Sequence, residues 1–424
     1  MVKKGYKQTE VGLIPEKWTV STIGAIADVK TGPFGSALHA EDYVQDGTPI
    51  ITVEHLGETG LTHQNLPKVS EKDRHRLFAY SMQEGDIVFS RVGSVDRNAY
   101  VTASENGWLF SGRILRLRAK NEKLSTQYLG YYFKSEDTKE RIRNVAVGQT
   151  MPSLNTKLMN AFKVVLPTIE EQKDIAALLS NMDTLISALE KQISKKKAIK
   201  QGAMQELLTG KRRLPGFSGE WETKKLEDYC SLITKQTGFD YSAYIKPALI
   251  TRKMPNTFPM IQTINFRGRK FTFETDYYIP QSVAMQFPNI VLNKKCVLFS
   301  IVGASVGNVG LYPGSITAFC GGAIGITRFR NEQDAEWVFN YMSSPDGQSQ
   351  IQYVTKGGAQ ATVTIADIRN FKIPTPEKDE RDAISGILEN MDHEIEVLEQ
   401  KLEKYREVKQ GMMQQLLTGK IRLV

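Results

Sequence analysis

Gln205-Glu206-Leu207-Leu208-Thr209-Gly210-Lys211 returns 209 positions later as Gln414-Gln415-Leu416-Leu417-Thr418-Gly419-Lys420. The flanks return with it: Lys200-Gln201-Gly202-Ala203-Met204 matches Lys409-Gln410-Gly411-Met412-Met413, and Arg213-Leu214 matches Arg422-Leu423. Further upstream, Ala161-Phe162-Lys163-Val164-Val165-Leu166-Pro167 parallels Asn370-Phe371-Lys372-Ile373-Pro374-Thr375-Pro376, and Ile87-Val88-Phe89-Ser90 parallels Val297-Leu298-Phe299-Ser300. A tryptophan opens each copy, Trp18 and Trp221. In a chain of 424 residues this is a tandem duplication with domain-sized copies. Agreement is best toward the end of each copy. Residues 30–85 and 235–290 show no convincing correspondence, so one scaffold is expected to carry two different surfaces.

Each repeated ending reads as a long helix. Thr168 is an N-cap candidate, with Pro167 outside it and Glu170 and Glu171 in the first turn. Met182, Ile186, Leu189 and Ile193 step by four and three, the a/d spacing of a coiled coil, and Ala203 and Leu207 resume the ladder after Lys196 and Lys200. In the second copy the ladder runs Met391, Ile395, Leu398, Leu402, Tyr405, Lys409, Met412 and Leu416. Gly210 and Gly419 take the role of helix-ending glycines. Positive charge lies late in the first helix (Lys191, Lys195, Lys196, Lys197, Lys200), and negative charge early in the second (Glu389, Asp392, Glu394, Glu396, Glu399, Glu403). Antiparallel packing brings these stretches together; parallel packing misaligns them. The 27 residues from Met182 to Leu208 rise about 40 Å as a helix.

The stretches between the helices are rich in glycine, β-branched and aromatic residues. Strands are expected at 49–53, 86–90, 99–101 and 114–117, then at 297–302 and 324–327, with helices near 127–142 and 335–352. The expected class is α+β in two pseudo-symmetric halves. Each half holds a globular domain (1–168 and 214–375) followed by a helical segment (169–213 and 376–424), and the two helices pack as an antiparallel coiled coil.

Composition is that of a folded chain, 41% hydrophobic and 24% charged. The start has two lysines without an apolar run behind them, and no stretch is long and apolar enough to cross a bilayer, so the expected location is the cytoplasm. Cys230, Cys296 and Cys320 form neither a C-x-x-C pair nor an even disulfide framework. The net charge of +8 divides as +4 over 1–169, +3 over 170–213, +4 over 214–378 and −3 over 379–424. The excess therefore sits on the two globular segments, compatible with a polyanionic partner.

Catalytic patterns are missing from the sequence: no G-x-x-x-x-G-K-[ST] loop, no Asn-Pro-Pro-aromatic run, and no H-E-x-x-H among five histidines. No metal and no bound cofactor are expected. Glu171-Gln172-Lys173 fits a nuclease-like E-x-K fragment, but its place at a helix start favours a capping box with solvated charge. What remains are polar and basic side chains beside glycine turns. In the first copy these are Lys30, Thr31, Ser36, Arg91, Arg97, Asn98 and Gln149; in the second, Arg252, Lys253, Arg267, Arg269, Lys270 and Gln360. Arginine to guanine and asparagine or glutamine to adenine are the favoured base contacts, and lysines tend to meet phosphate. Gly148-Gln149-Thr150 and Gly358-Ala359-Gln360 are expected to correspond.

The tryptophan openings resemble the specificity subunit of type I restriction-modification systems. So do the Phe89-Ser90-Arg91-Val92-Gly93 and Phe299-Ser300-Ile301-Val302-Gly303 strands, the two Leu-Leu-Thr-Gly-Lys endings, and the helix starts at Pro167-Thr168-Ile169-Glu170-Glu171-Gln172 and Pro376-Glu377-Lys378-Asp379-Glu380-Arg381. The resemblance spans essentially the whole chain. Gln172 keeps the family's P-x-x-E-Q pattern, whereas Arg381 departs from it, read as tolerated variation at a helix start.

The resemblance implies a non-catalytic subunit. Its two target-recognition domains each read one half of a bipartite sequence in double-stranded DNA, and its helices set the gap. It further implies docking of two methyltransferase subunits that bind S-adenosylmethionine. Motor-nuclease subunits using ATP and magnesium complete the complex. A coiled-coil assembly scaffold without sequence-specific reading is the alternative from another class. A stand-alone nuclease or methyltransferase is disfavoured by the missing motifs.

Overall fold

The structure is a computed structural model and describes residues 4–33, 38, 40–58, 60–148, 150–357 and 361–423. It divides into two compact units, one of residues 1–190 with 400–424 and the other of residues 191–399. Each unit thus joins a globular segment to the first part of its own long helix and the last part of the other. The first long helix is Ile169–Leu207 and the second Lys378–Leu416, 39 residues each.

In the first unit, strands β1 (Ala27–Thr31), β2 (Thr48–Ile51), β3 (Ile87–Ser90), β4 (Asn98–Tyr100), β5 (Leu109–Phe110) and β6 (Ile114–Ala119) carry the fold. The main sheet runs β1-β6-β3-β4, antiparallel throughout. All four residues of β3 are buried, as expected of a central strand covered on both faces. In the second unit the equivalents are β7 (Cys230–Lys235), β8 (Thr257–Ile261), β9 (Cys296–Ser300), β10 (Val309–Tyr312), β11 (Ala318–Cys320) and β12 (Ile324–Phe329). Their main sheet runs β7-β12-β9-β10. Register is preserved across the duplication: Ile114 faces Ser90 and Ile324 faces Ser300, a constant shift of 210 positions.

The same shift runs through the stretches that seemed unrelated in sequence. β2 and β5 are parallel, with Ile50 beside Leu109 and Ile51 beside Phe110. β8 and β11 are parallel, with Met260 beside Phe319 and Ile261 beside Cys320, again 210 further on. The flanking strands differ: Lys68–Val69 and Tyr43–Val44 in the first unit, Tyr278–Pro280 and Val291–Leu292 in the second. The divergent region is therefore a shared two-strand kernel with different edges.

The expected helix near 127–142 is two helices, Thr126–Lys134 and Glu136–Val145, because Ser135 is extended and caps both. Its counterpart likewise breaks into Asp334–Met342 and Pro345–Val354, with Ser344 as N-cap and Pro345 in the first turn.

The long helices meet in antiparallel sense within each unit. In the first, Asp183 pairs with Lys409 at 2.5 Å and Glu190 with Arg406 at 2.7 Å. In the second, Lys196 pairs with Glu394 at 2.6 Å, Lys197 with Glu399 at 2.7 Å and Lys200 with Asp392 at 2.5 Å. Of the ladder residues, Leu189, Ile193, Leu207, Ile395, Leu402 and Leu416 are buried, and Met182, Ile186, Met391 and Leu398 are partly buried. Leu416 and Leu417 join the first unit's core with Ile175 and Leu179, while Leu207 and Leu208 join the second unit's core with Ile384 and Leu388. Gly210 and Gly419 end the helices at φ +70° and +69°, the left-handed conformation a glycine adopts without strain.

A clasp closes each unit. Glu171, fully buried, accepts hydrogen bonds from Trp18 Nε1 at 2.9 Å and from Arg422 Nε and Nη2 at 3.0 and 2.8 Å. Glu380, fully buried as well, accepts from Trp221 Nε1 at 2.9 Å and from Arg213 Nε and Nη2 at 2.7 Å each. The solvated charge expected at Glu171 is therefore a correction: this carboxylate is a sealed anchor. Burial alone pushes the Glu380 carboxyl up, but the Arg213 and Trp221 bonds hold it below the usual range. Gln172 and Arg381, which differ between the copies, serve the same short helix start. Gln172 Oε1 accepts from Ser125 N at 2.9 Å, and Arg381 pairs with Asp334 at 2.8 Å.

Candidate nucleic-acid interface

The residues singled out as base or phosphate contacts separate into two groups. Asn98 is 6% exposed, and its amide nitrogen donates to Asp96 O at 3.1 Å and Phe133 O at 3.3 Å. It pins β4 to the helix behind it and has no route to a groove, which overturns the base-reading role expected of it. Arg91 is half-buried and donates to Leu154 O at 3.3 Å and Gly112 O at 3.4 Å, tying three loops together. Arg269 pairs with Glu336 at 2.8 Å and Asp392 at 3.0 Å and lies 4.9 Å from the Phe339 ring centre. It fastens a hairpin to the second long helix. Lys270 reaches Glu399 from the same hairpin.

The others stand nearer to solvent. Lys30 is half-buried with its Nζ 5.0 Å from the Tyr80 ring, and Thr31 ends β1 beside Leu115. Arg97 is exposed and donates to Leu56 O. Arg252, Lys253 and Arg267 are exposed. Ser36, Gln149 and Gln360 lie outside the described residues. The loop correspondence shifts as well. Val147 and Lys356 each bridge to their loop's closing residue, Ser153 and Thr362. Gly148 therefore matches Gly357, at φ +108° and +95°.

A second set of residues, not singled out in the sequence, gathers where strand ends converge. In the second unit the C-terminal ends of β7, β8 and β11 and the start of β12 surround a cavity of about 480 Å³ lined by Gln236, Tyr241, Gln262, Thr263, Gly321 and Gly322 among others. Ligands commonly sit at the carboxyl ends of parallel strands, and cavities of this size are typical. The equivalent edge of the first unit has Thr52 at the place of Gln262, Ser111-Gly112 at the place of Gly321-Gly322, and exposed Arg113 at the place of Ala323. Gly32 closes against this edge: a Cβ there would lie 2.1 Å from Ser111 O, so no larger residue fits. The sequence signal for these positions was the 210-residue shift, which weak local similarity concealed. Among the described residues, no group of three or more His, Cys, Asp or Glu is placed to hold a metal ion, and no helix is long and apolar enough to cross a membrane.

Comparison with known proteins places relatives along the whole chain. The family model for the type I restriction modification DNA specificity domain matches twice, at residues 15–200 and 218–405. A Methanocaldococcus jannaschii protein named for the specificity subunit of the MjaX type I restriction enzyme is 29% identical over 438 residues, covering 99% of this chain and 97% of the relative. The MjaVIII specificity subunit of the same organism is 25% identical over the same coverage. Among solved structures, the S subunit of a type I restriction-modification system from M. genitalium superposes with a TM-score of 0.59 at 14% identity, covering 94% of this chain and 96% of that one.

Proposed function

Because this chain belongs to the type I restriction-modification DNA specificity family and carries two copies of its domain, we propose that it reads a bipartite, asymmetric DNA target with one unit per half-site. The observation that carries this is the pairing of conserved register with unlike edges. The main-sheet strands repeat with a 210-residue shift, yet the strand-end edge presents Gln262 and Ala323 in one unit and Thr52 and Arg113 in the other. Identical readers would call for a palindrome; unlike readers suit two different half-sites. The long helices set the gap read between the half-sites and offer docking surface to two methyltransferase subunits. Methyl transfer from S-adenosylmethionine, and ATP- and magnesium-dependent work, belong to those partners and to the motor-nuclease subunits, all acting in the cytoplasm. Phosphate contacts make affinity fall as salt rises, while base contacts set the sequence.

The gap is tested by length. Inserting or deleting four residues just before Gly210 is expected to change the number of unread base pairs between the half-sites and to leave both half-sites unchanged. The check is sequencing of methylated motifs in a host expressing the variant with its methyltransferase partner. Altered half-sites at an unchanged gap would contradict the ruler role.

A further inference from the structure

The cavity at the strand ends of the second unit has a chemistry of its own. Its lining side chains include two amides, a hydroxyl and an aromatic ring but no charged group. A phosphate or a cation would need one; a nucleobase edge does not. The Gln236 amide and the Gln262 backbone are fixed in place. Gln236 Nε2 donates to Cys320 O at 3.4 Å, and a Cβ on Gly322 would come within 2.9 Å of Gln236 Oε1, so the glycine keeps room for that amide. Gln262 is the N-cap of the 3₁₀ turn Thr263–Asn265, and its backbone N–H donates to Asn265 Oδ1 at 2.8 Å. Tyr241 stands exposed among the lining residues, offering a ring face beside the amides. Fixed groups lose little freedom on binding, which favours selectivity.

We infer that Gln236 and Gln262 are the base-selecting residues of the second unit and that they recognise adenine through its N6 donor and N7 acceptor. A glutamine amide presents the complementary acceptor and donor side by side, the geometry that singles out adenine in the major groove. The glycine pair lets the backbone approach the base closely, where a larger side chain would hold it off. This inference rests on the reading of one unit per half-site and goes further by naming the residues and the base. The first unit, with Thr52 and Arg113 at the corresponding positions, recognises a different base by the same edge.

The test uses the full chain with its methyltransferase partner and duplexes carrying the motif mapped in the host. Each adenine of the second half-site is replaced in turn by 7-deazaadenine, which removes N7 and keeps pairing. One substitution is expected to weaken binding about tenfold or more, and the effect should vanish in Gln236→Ala and Gln262→Thr complexes, whose preference at the first half-site is unchanged. Free adenosine is expected not to compete. Loss of N7 without effect at every adenine of the second half-site overturns the inference, even if a variant fails to fold. A variant weakened equally on all sequences overturns it too, as does adenosine binding with base preference unaltered. A wild-type complex that prefers no interrupted sequence over random duplex defeats the underlying reading instead.

Discussion

Asp183 and Asp392 occupy the same position in the two copies, and each carboxylate is satisfied on one oxygen by a lysine of the opposite helix, Lys409 and Lys200. The second oxygen is handled differently. In the first unit Tyr131 donates its hydroxyl to Asp183 at 2.7 Å; in the second the matching position is Asn340, and Arg269, 4.9 Å from the Phe339 ring centre, reaches Asp392 at 3.0 Å. The tyrosine hydroxyl is replaced by a guanidinium from the Phe266–Phe271 hairpin, whose counterpart in the first unit closes through the Leu56–Leu61 bridge. The helix pair therefore keeps one set of half-buried carboxylates while the reader beside it varies. That is how a duplicated scaffold tolerates unlike surfaces: the anchor is conserved in chemistry, not in residue.

The largest effect should come from opening the clasps. Arg422→Ala leaves Glu171 without its cation, and Arg213→Ala does the same to Glu380; each should lower the urea midpoint more than any other change named here, because a carboxylate is left buried without its countercharge. The two are distinguishable because all three cysteines lie in the second unit, where burial pushes Cys230 and Cys296 up to about 12 and keeps the thiols unreactive. Thiol labelling is expected to accelerate in Arg213→Ala far more than in Arg422→Ala. Equal acceleration would mean the two units unfold as one.

Next in size is a change of specificity. Arg113→Ala should relax one guanine of the first half-site by about 1–3 kcal/mol and leave the second intact, checked by binding to duplexes with single base-pair changes. Tyr131→Phe strands one oxygen of Asp183 and should lower stability by about 1 kcal/mol in urea melts. Smallest of all, Lys270→Ala removes an exposed ion pair and should change stability by less than about 1 kcal/mol.

Much of this comparison is legible in the sequence. The Leu-Leu-Thr-Gly-Lys endings carry their own helix stops, and the ladder from Met182 to Leu416 follows from local spacing. The main-sheet strands were visible because β3 and β9 are apolar runs beside glycines. What escaped depends on contacts distant in sequence. Glu171 reads as a first-turn acid until Arg422, 251 positions away, closes on it. The β2–β5 and β8–β11 kernels rest on two residue pairs each, too few to leave a pattern. Asn98 and Arg269 have the chemistry of base readers, and only burial and partners reveal that they hold the fold. Gln236 and Gln262 sit where similarity between the copies is lowest, which is where recognition residues are free to diverge.

Sequencing the methylated bases of a host that expresses this chain with its methyltransferase partner tests the central claim most directly. One interrupted motif with two unlike half-sites and a fixed number of unread base pairs is the predicted result. A palindromic motif, or one continuous run of specified bases, would contradict the assignment of one reader to each unit.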